Sequence, residues 1–319
     1  MTAPAARVGF GLLVPTLMEF EPCGLDRLRE AAHLGDEYDF DVLWVGDHLM
    51  FSAPILDATV SIGVLGAMTT RVSVGTNVLQ LPLRRPVDVA KSFATISYLT
   101  GGRLILGIGV GGEFGPEWAA AGISPRERGA RCDEAIDALG WYWSGIEASG
   151  KYASSPGLAI NPPPAGGRVP IWVGGRSGAA IRRAARCDGS LNIWVSPQRC
   201  TQICEEVRSL RSERMDEFTF GLELLAHVDD NAERARRDTR EAISRLHLNP
   251  DALEKYVAFG SPTVVAERVL EYLAAGVQHV SFYLPGTGWS EQARRIAEEV
   301  IPLVRTSLSS VPKLKAMEG

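Results

Sequence analysis

A histidine beside a carboxylate at the end of an apolar run can move a proton, and the chain places one in Val45-Gly46-Asp47-His48. Histidine changes charge near neutrality, and a neighbouring aspartate can orient its ring or hold a polar ligand. The same two residues can equally form a hydrogen-bond pair that only fixes the loop. The other histidines are less suggestive: His33 and His247 fall in helical segments, His227 and His279 at strand edges.

Polar Thr76 and Asn77 interrupt the run Gly75-Thr76-Asn77-Val78-Leu79-Gln80. Such an interruption marks either a bulge or strained backbone facing a ligand, or a simple strand end. Arg84-Arg85-Pro86 follows, two cations suited to a solvated surface or to an anionic ligand tail. Next, Gly107-Ile108-Gly109-Val110-Gly111-Gly112-Glu113 formally satisfies Gly-x-Gly-x-x-Gly. A dinucleotide site needs that turn to run straight into a helix whose N-terminus holds pyrophosphate. Here Glu113-Phe114-Gly115-Pro116 intervenes and brings a carboxylate where phosphate would be repelled. The glycines read better as backbone brought close to a flat ring, with Glu113 as an acceptor or acid/base group.

The strongest phosphate cradle is Gly174-Gly175-Arg176-Ser177, opening directly onto a helix from Ala179. It supplies backbone N–H groups, a positive charge and a hydroxyl at a positive dipole end. An ordinary glycine-rich turn with a serine cap is its plainer reading. Gly286-Thr287-Gly288 is a rival phosphate loop. The markers of nucleotide hydrolysis, zinc proteolysis and esterase chemistry are missing from the sequence.

These segments must be held by elements, and the elements alternate. Eight short apolar runs read as strands: Val8–Val14, Val42–Val45, Val72–Leu79, Leu104–Ile108, Ile171–Val173, Leu191–Trp194, Phe220–His227 and His279–Leu284. Stretches of helical period lie between them, among them Leu25–Tyr38, Val87–Leu99, Arg126–Trp143, Ala179–Cys187, Arg199–Arg214, Ala232–Leu246 and Val264–Ala275. Eight strand–helix units predict a closed α/β architecture, the (β/α)8 TIM barrel, in which the informative segments sit at the C-terminal strand ends. The Gly-, Pro- and Ser-rich stretch around 145–170 breaks the rhythm between the fourth unit and the fifth strand, as an insertion that is a lid or a loop. One domain over 1–319 is expected.

With 33 Lys and Arg against 38 Asp and Glu, the formal charge is −5, and no basic face for a nucleic-acid partner is indicated. The apolar runs are strand-sized and Met1–Ala6 lacks a signal core, so neither a membrane partner nor export is expected and the chain reads as cytoplasmic. Five scattered cysteines suit reduced thiols, and Cys200 and Cys204 lack the spacing of a metal site, so no metal is expected.

Taken in order, Leu43-Trp-Val-Gly-Asp-His48, Val74-Gly-Thr-Asn-Val78, Arg103-Leu-Ile-Leu-Gly-Ile-Gly-Val-Gly-Gly-Glu-Phe114, Arg128-Gly-Ala-Arg131, Pro170-Ile-Trp-Val-Gly-Gly-Arg-Ser177 and Gly260-Ser-Pro262 resemble the bacterial luciferase-like oxidoreductases, from Val8 to about Leu303. The resemblance implies a barrel with an insertion that binds coenzyme F420 or, alternatively, FMN. Gly-Asp-His looks like the deazaflavin branch, with Asp47 contacting the ring and His48 beside the hydride-transfer centre. It places a non-proline cis peptide behind the ring at Asn77-Val78, or at Thr76-Asn77 by a one-residue shift. Val110, Gly111, Gly112 and Glu113 are similar to the segment lining the ring edge, with Glu113 as acid or base. Gly174, Gly175, Arg176 and Ser177 resemble its phosphate turn.

The expected function is therefore F420-dependent hydride transfer with a small-molecule substrate, by a protein that forms homodimers. An FMN-dependent monooxygenase using reduced flavin and oxygen, and a non-catalytic cofactor-binding barrel, are the alternatives. Asn192-Ile193-Trp194-Val195-Ser196 lacks the lysine of a sugar-phosphate dehydrogenase branch, and Pro15 to Glu21 is mostly apolar, so a neutral or apolar substrate is expected.

Overall fold

A parallel strand inside a barrel is covered on both faces, so its sequence must be apolar on both. Val42–Val45 and Leu104–Gly109 meet that demand almost without interruption. The computed structural model of the chain describes residues 8–112, 114–211 and 215–310. Met1–Ala6, Glu113 and residues 212–214, which end one expected helix, lie outside them.

Eight parallel strands close on themselves: β1 (Gly9–Leu13), β2 (Val42–Val45), β3 (Ser73–Thr76), β4 (Leu104–Gly109), β5 (Ile171–Gly174), β6 (Gly189–Asn192), β7 (Thr219–Val228) and β8 (His279–Tyr283). Each pairs with its sequence neighbour, and β8 pairs back onto β1 with Gly9 opposite His279. The connecting helices are α1 (Leu25–Glu37), α2 (Ala58–Met68), α3 (Pro86–Leu99), α4 (Gly115–Ala121), α5 (Arg128–Ser144), α6 (Gly178–Ala184), α7 (Pro197–Leu210), α8 (Ala232–Arg245), α9 (Pro262–Ala274), α10 (Trp289–Arg295) and α11 (Ile301–Ser310). This is the expected (β/α)8 barrel. Among the described residues no helix is long and apolar enough to cross a membrane.

Several elements depart from the sequence reading, β3 among them, which ends at Thr76 rather than at the expected Leu79. α2 is apolar on every side, so it has no one-sided period to find; its start is marked by Asp57, whose carboxylate accepts from Val60 N at 2.9 Å. β6 begins two residues before the expected Leu191, because Gly189 and Ser190, turn formers by composition, are paired with Thr219 and Phe220. Between α5 and β5 the chain makes a short antiparallel hairpin, Glu147–Ser149 with Ser154–Pro156. Glu134 of α5 holds its turn, accepting from Lys151 N at 3.0 Å and Ala153 N at 2.6 Å.

The barrel interior is filled at its N-terminal half and open at the other. Trp44, Trp172 and His279 pack together there, the imidazole edge to face with both indoles, with ring centroids 5.3–5.7 Å apart. Trp44 Nε1 donates to His279 Nε2 at 3.2 Å. Burial pushes His279 down to about 3, so the imidazole stays neutral and can accept that bond. Leu13, Val78 and Leu191 rest on this aromatic plug and form the floor of what lies above.

Candidate active site

Above the floor a cavity of about 440 Å³ opens at the C-terminal strand ends. Its wall takes Leu13, Asp47, His48, Asn77, Val78, Gly109, Val110, Gly111, Gly174, Gly175, Asn192, Glu223 and Tyr283, so every barrel strand or the turn after it contributes. No residue of the 145–170 excursion lines it. The cavity's rim is braced instead by the segment after β1: Leu17 bridges Ile55, Met18 N donates to Pro54 O at 2.8 Å, and Gly288 N donates to Glu21 at 2.9 Å.

His48 follows β2, and its partner is not Asp47. Glu117, fully buried on α4, lies with Oε1 3.2 Å from His48 Nδ1, and it also accepts from Leu49 N at 3.2 Å. Gln80 Nε2 completes the cluster, 2.9 Å from His48 Nδ1, 3.0 Å from Glu117 Oε1 and 3.2 Å from the main-chain oxygen of Asp47. Nδ1 therefore faces an acceptor, Glu117 at 3.2 Å, and a donor, Gln80 at 2.9 Å, and carries the ring proton when it turns to Glu117. Nε2 is then the ring nitrogen without a partner among the described residues. Phe51 stacks on the imidazole at 4.2 Å and fixes its plane.

Asp47 is tied down differently. Its carboxylate takes Arg84 Nη2 at 2.5 Å and Gln80 N at 2.9 Å, with the aspartate side chain fully buried. Arg84 is therefore neither solvated surface nor a ligand clamp, the two readings its sequence position suggested; it neutralises Asp47 and reaches Asp57 as well. Arg85 alone is exposed.

The peptide Asn77-Val78 is cis, at the first of the two expected bonds. Val78 is wedged against bare backbone: a Cβ on Gly109 would meet Val78 Cγ2 at 2.6 Å, and one on Gly174 would meet Cγ1 at 2.9 Å. Thr76 does not reach the cavity. Its hydroxyl donates to Gly107 O at 2.7 Å inside the wall, as the pleat requires of a residue adjacent to Asn77. Gly112, Arg176 and Ser177 also stand outside the lining. Ser177 caps α6 through Ala180 N, and Arg176 donates to Trp194 O. Ser177 instead borders a second groove with Arg126, Arg128 and Arg183, and this groove meets the cavity at Val110, which lines both. Glu113 lies outside the described residues.

Gln80, Glu117, Glu223 and Tyr283 escaped the sequence reading. Glu117 stands four residues after Glu113 on a seven-residue helix too short for a periodicity signal. Glu223 was detectable as an acid inside an apolar strand. The five cysteines are buried and free, and burial pushes Cys132, Cys187 and Cys200 up to about 12, which leaves no reactive thiol among those three. Ligand atoms of His227, Asp229 and Asp238 approach within 4.8 Å, but Arg234 already occupies Asp229 at 2.7 Å.

The family model described as luciferase-like monooxygenase matches residues 15–257. The chain belongs to that family. Within it, an F420-dependent glucose-6-phosphate dehydrogenase of Nakamurella multipartita is 27% identical, the match covering 96% of this chain and 98% of that protein. Among solved structures, an F420-dependent secondary alcohol dehydrogenase in complex with an F420-acetone adduct superposes with a TM-score of 0.81 at 19% identity, covering 94% of this chain and 99% of that one. A monooxygenase of the family's fold, RslO1 from Streptomyces bottropensis, gives 0.79 at 18% identity over 92% and 99% of the two chains.

Proposed function

We propose that the chain is a coenzyme F420-dependent oxidoreductase moving a hydride between the deazaflavin and a small organic substrate. The observation that carries this reading is a proton-handling imidazole, His48, held by Glu117 over a cavity walled with bare backbone and Val78. The residues present fit a planar heterocycle. Gly109, Gly111, Gly174 and Gly175 leave room for a flat face, and Val78 supplies an apolar backing. Asn192 Oδ1 and Gln80 Oε1 are buried acceptors without partners among the described residues, on two side chains that line the cavity. The coenzyme's anionic end would run past Val110 to Arg126, Arg128 and Ser177, since no Lys or Arg among the described residues lines the cavity itself.

The deazaflavin, when bound, supplies two-electron hydride chemistry. The chain contributes binding, orientation and a proton. Nε2 of His48 takes the hydroxyl proton of an alcohol on oxidation, or returns it to the oxygen of a carbonyl on reduction. For Nε2 to act as the base, Nδ1 donates to Glu117, which also stabilises the imidazolium once it forms.

Coenzyme titration tests this. F420 is expected to bind, and Arg128→Ala is expected to weaken it about tenfold or more, at the low end of what a charge-assisted bond contributes. Tight FMN binding with no F420 binding would instead favour the monooxygenase reading. Binding without turnover of any carbonyl, alcohol or activated alkene, with His48→Ala indifferent, would favour a storage or sensing barrel. A homodimer through α2, where Val60 and Ala67 are exposed on an apolar helix, and a cytoplasmic location complete the proposal; gel filtration checks the first.

A further inference from the structure

Glu223 is the acid of the cavity that hydride and proton transfer leave unused. On β7, Leu222 and Leu224 turn outward into the helix-covered core, so strand alternation sends Glu223 inward, opposite Ser281 on β8. Its Oε2 accepts from Asn77 Nδ2, while Oε1 has no protein partner among the described residues and looks into the cavity. Each other acid of the lining has a cation: Asp47 has Arg84 and Glu21 has Arg27, at 2.8 Å for the latter pair. Glu223 has, among the described residues, only the neutral Asn77 amide, and burial pushes its carboxyl up to about 8, which favours the protonated form near neutral pH. The wall nearest the segment after β1 is hydrocarbon, from Leu13, Leu17, Phe20, Ile55 and Trp289.

We propose that Glu223, held by Asn77, is a specificity-determining residue that donates a hydrogen bond to an uncharged oxygen of the substrate. The substrate class is then small, mostly hydrocarbon ketones and secondary alcohols. Anionic substrates, sugar phosphates among them, are disfavoured by a cavity that no Lys or Arg among the described residues lines. This rests on the oxidoreductase reading above only for the name of the reaction; selection by the cavity is a binding property of the chain alone.

The test therefore uses coenzyme-free protein first. Saturation-transfer NMR compares cyclohexanone with cyclohexanecarboxylate. The wild type is expected to bind the ketone at least tenfold more tightly. Glu223→Gln, whose amide can still donate, should stay within about threefold of wild type for the ketone. Glu223→Leu should lose at least tenfold, a folded sample being verified by its thermal melt. Infrared difference spectra of wild type against E223Q should contain the C=O stretch of a protonated carboxyl, a signature that does not depend on E223L folding. Turnover with reduced F420 then repeats the ranking as kcat/KM, with coenzyme affinity unchanged in both variants. Equal binding of the two ligands, absence of the infrared band, or unchanged ketone affinity in folded E223L overturns the proposal. Failure to bind F420 overturns the oxidoreductase reading instead and leaves the NMR and infrared results to decide this one.

Discussion

His48 Nδ1 lies 3.2 Å from Glu117 Oε1, so the histidine that ends β2 is oriented from α4, across the cavity rim, rather than by the aspartate next to it in sequence. His48→Ala should lower kcat by about 10²–10⁴-fold, the usual range for a positioned acid or base, and leave coenzyme affinity nearly unchanged. Glu117→Gln removes a charge-assisted bond of about 1.5–3 kcal/mol, so a loss on the order of 10–100-fold is expected. Because the amide cannot stabilise the imidazolium as a carboxylate does, the pH–rate profile of that variant should also shift, which a merely structural role would not produce.

The Asp47–Arg84 pair is buried on the aspartate side, and breaking it strands a guanidinium that keeps only a 3.3 Å contact to Asp57. Asp47→Ala should cost about 2–4 kcal/mol of stability, somewhat less than for a fully buried pair because Arg84 is partly exposed. The double variant Asp47→Ala with Arg84→Met should recover a good part of the loss. Chemical denaturation of the four proteins measures this coupling.

Gly111 has φ +57° and backs directly onto Gln80, where an added Cβ would meet Oε1 at 1.9 Å. Gly111→Ala should therefore displace the Gln80 amide and loosen His48 along with it. A stability loss of about 1–3 kcal/mol is expected from the strained backbone, together with a fall in kcat larger than that in a control Gly46→Ala, whose Cβ meets nothing within 4 Å.

Stability should respond to pH through Glu223. Its folded carboxyl sits near 8 against about 4.5 for the ordinary group, so the folded state binds more protons between those values. Stability is then fully present below about 4.5 and falls as pH rises to about 8, with a slope of at most about 1.4 kcal/mol per pH unit. Glu223→Gln removes that dependence. Thermal melts of the coenzyme-free proteins should show the variant gaining on the wild type from pH 5 to pH 9.

The barrel was legible because parallel strands buried on both faces leave unmistakable apolar runs; Val42–Val45 matches its strand residue for residue. α2 was not, since uniform apolarity erases the period by which a helix is recognised. At the site, residues on strand ends were readable in place: His48, Asn77, Val78, Gly111 and Gly174 all line the cavity. Pairing across the rim was not, because sequence adjacency suggested Asp47 for His48 whereas the fold delivers Glu117 from 69 residues away. Likewise Arg84 looked solvated by its neighbours, and only the return of the chain beside β2 gives it a buried counter-ion.

The tryptophan–histidine plug closes the lower end of the barrel, leaving the rim as the way in or out among the described residues. Two ligands that share one doorway leave in the reverse of the order in which they arrived. Whichever of coenzyme and substrate settles on Val78 and Leu191 is trapped until the other has gone, and the kinetics of exchange should carry that imprint as a compulsory sequence.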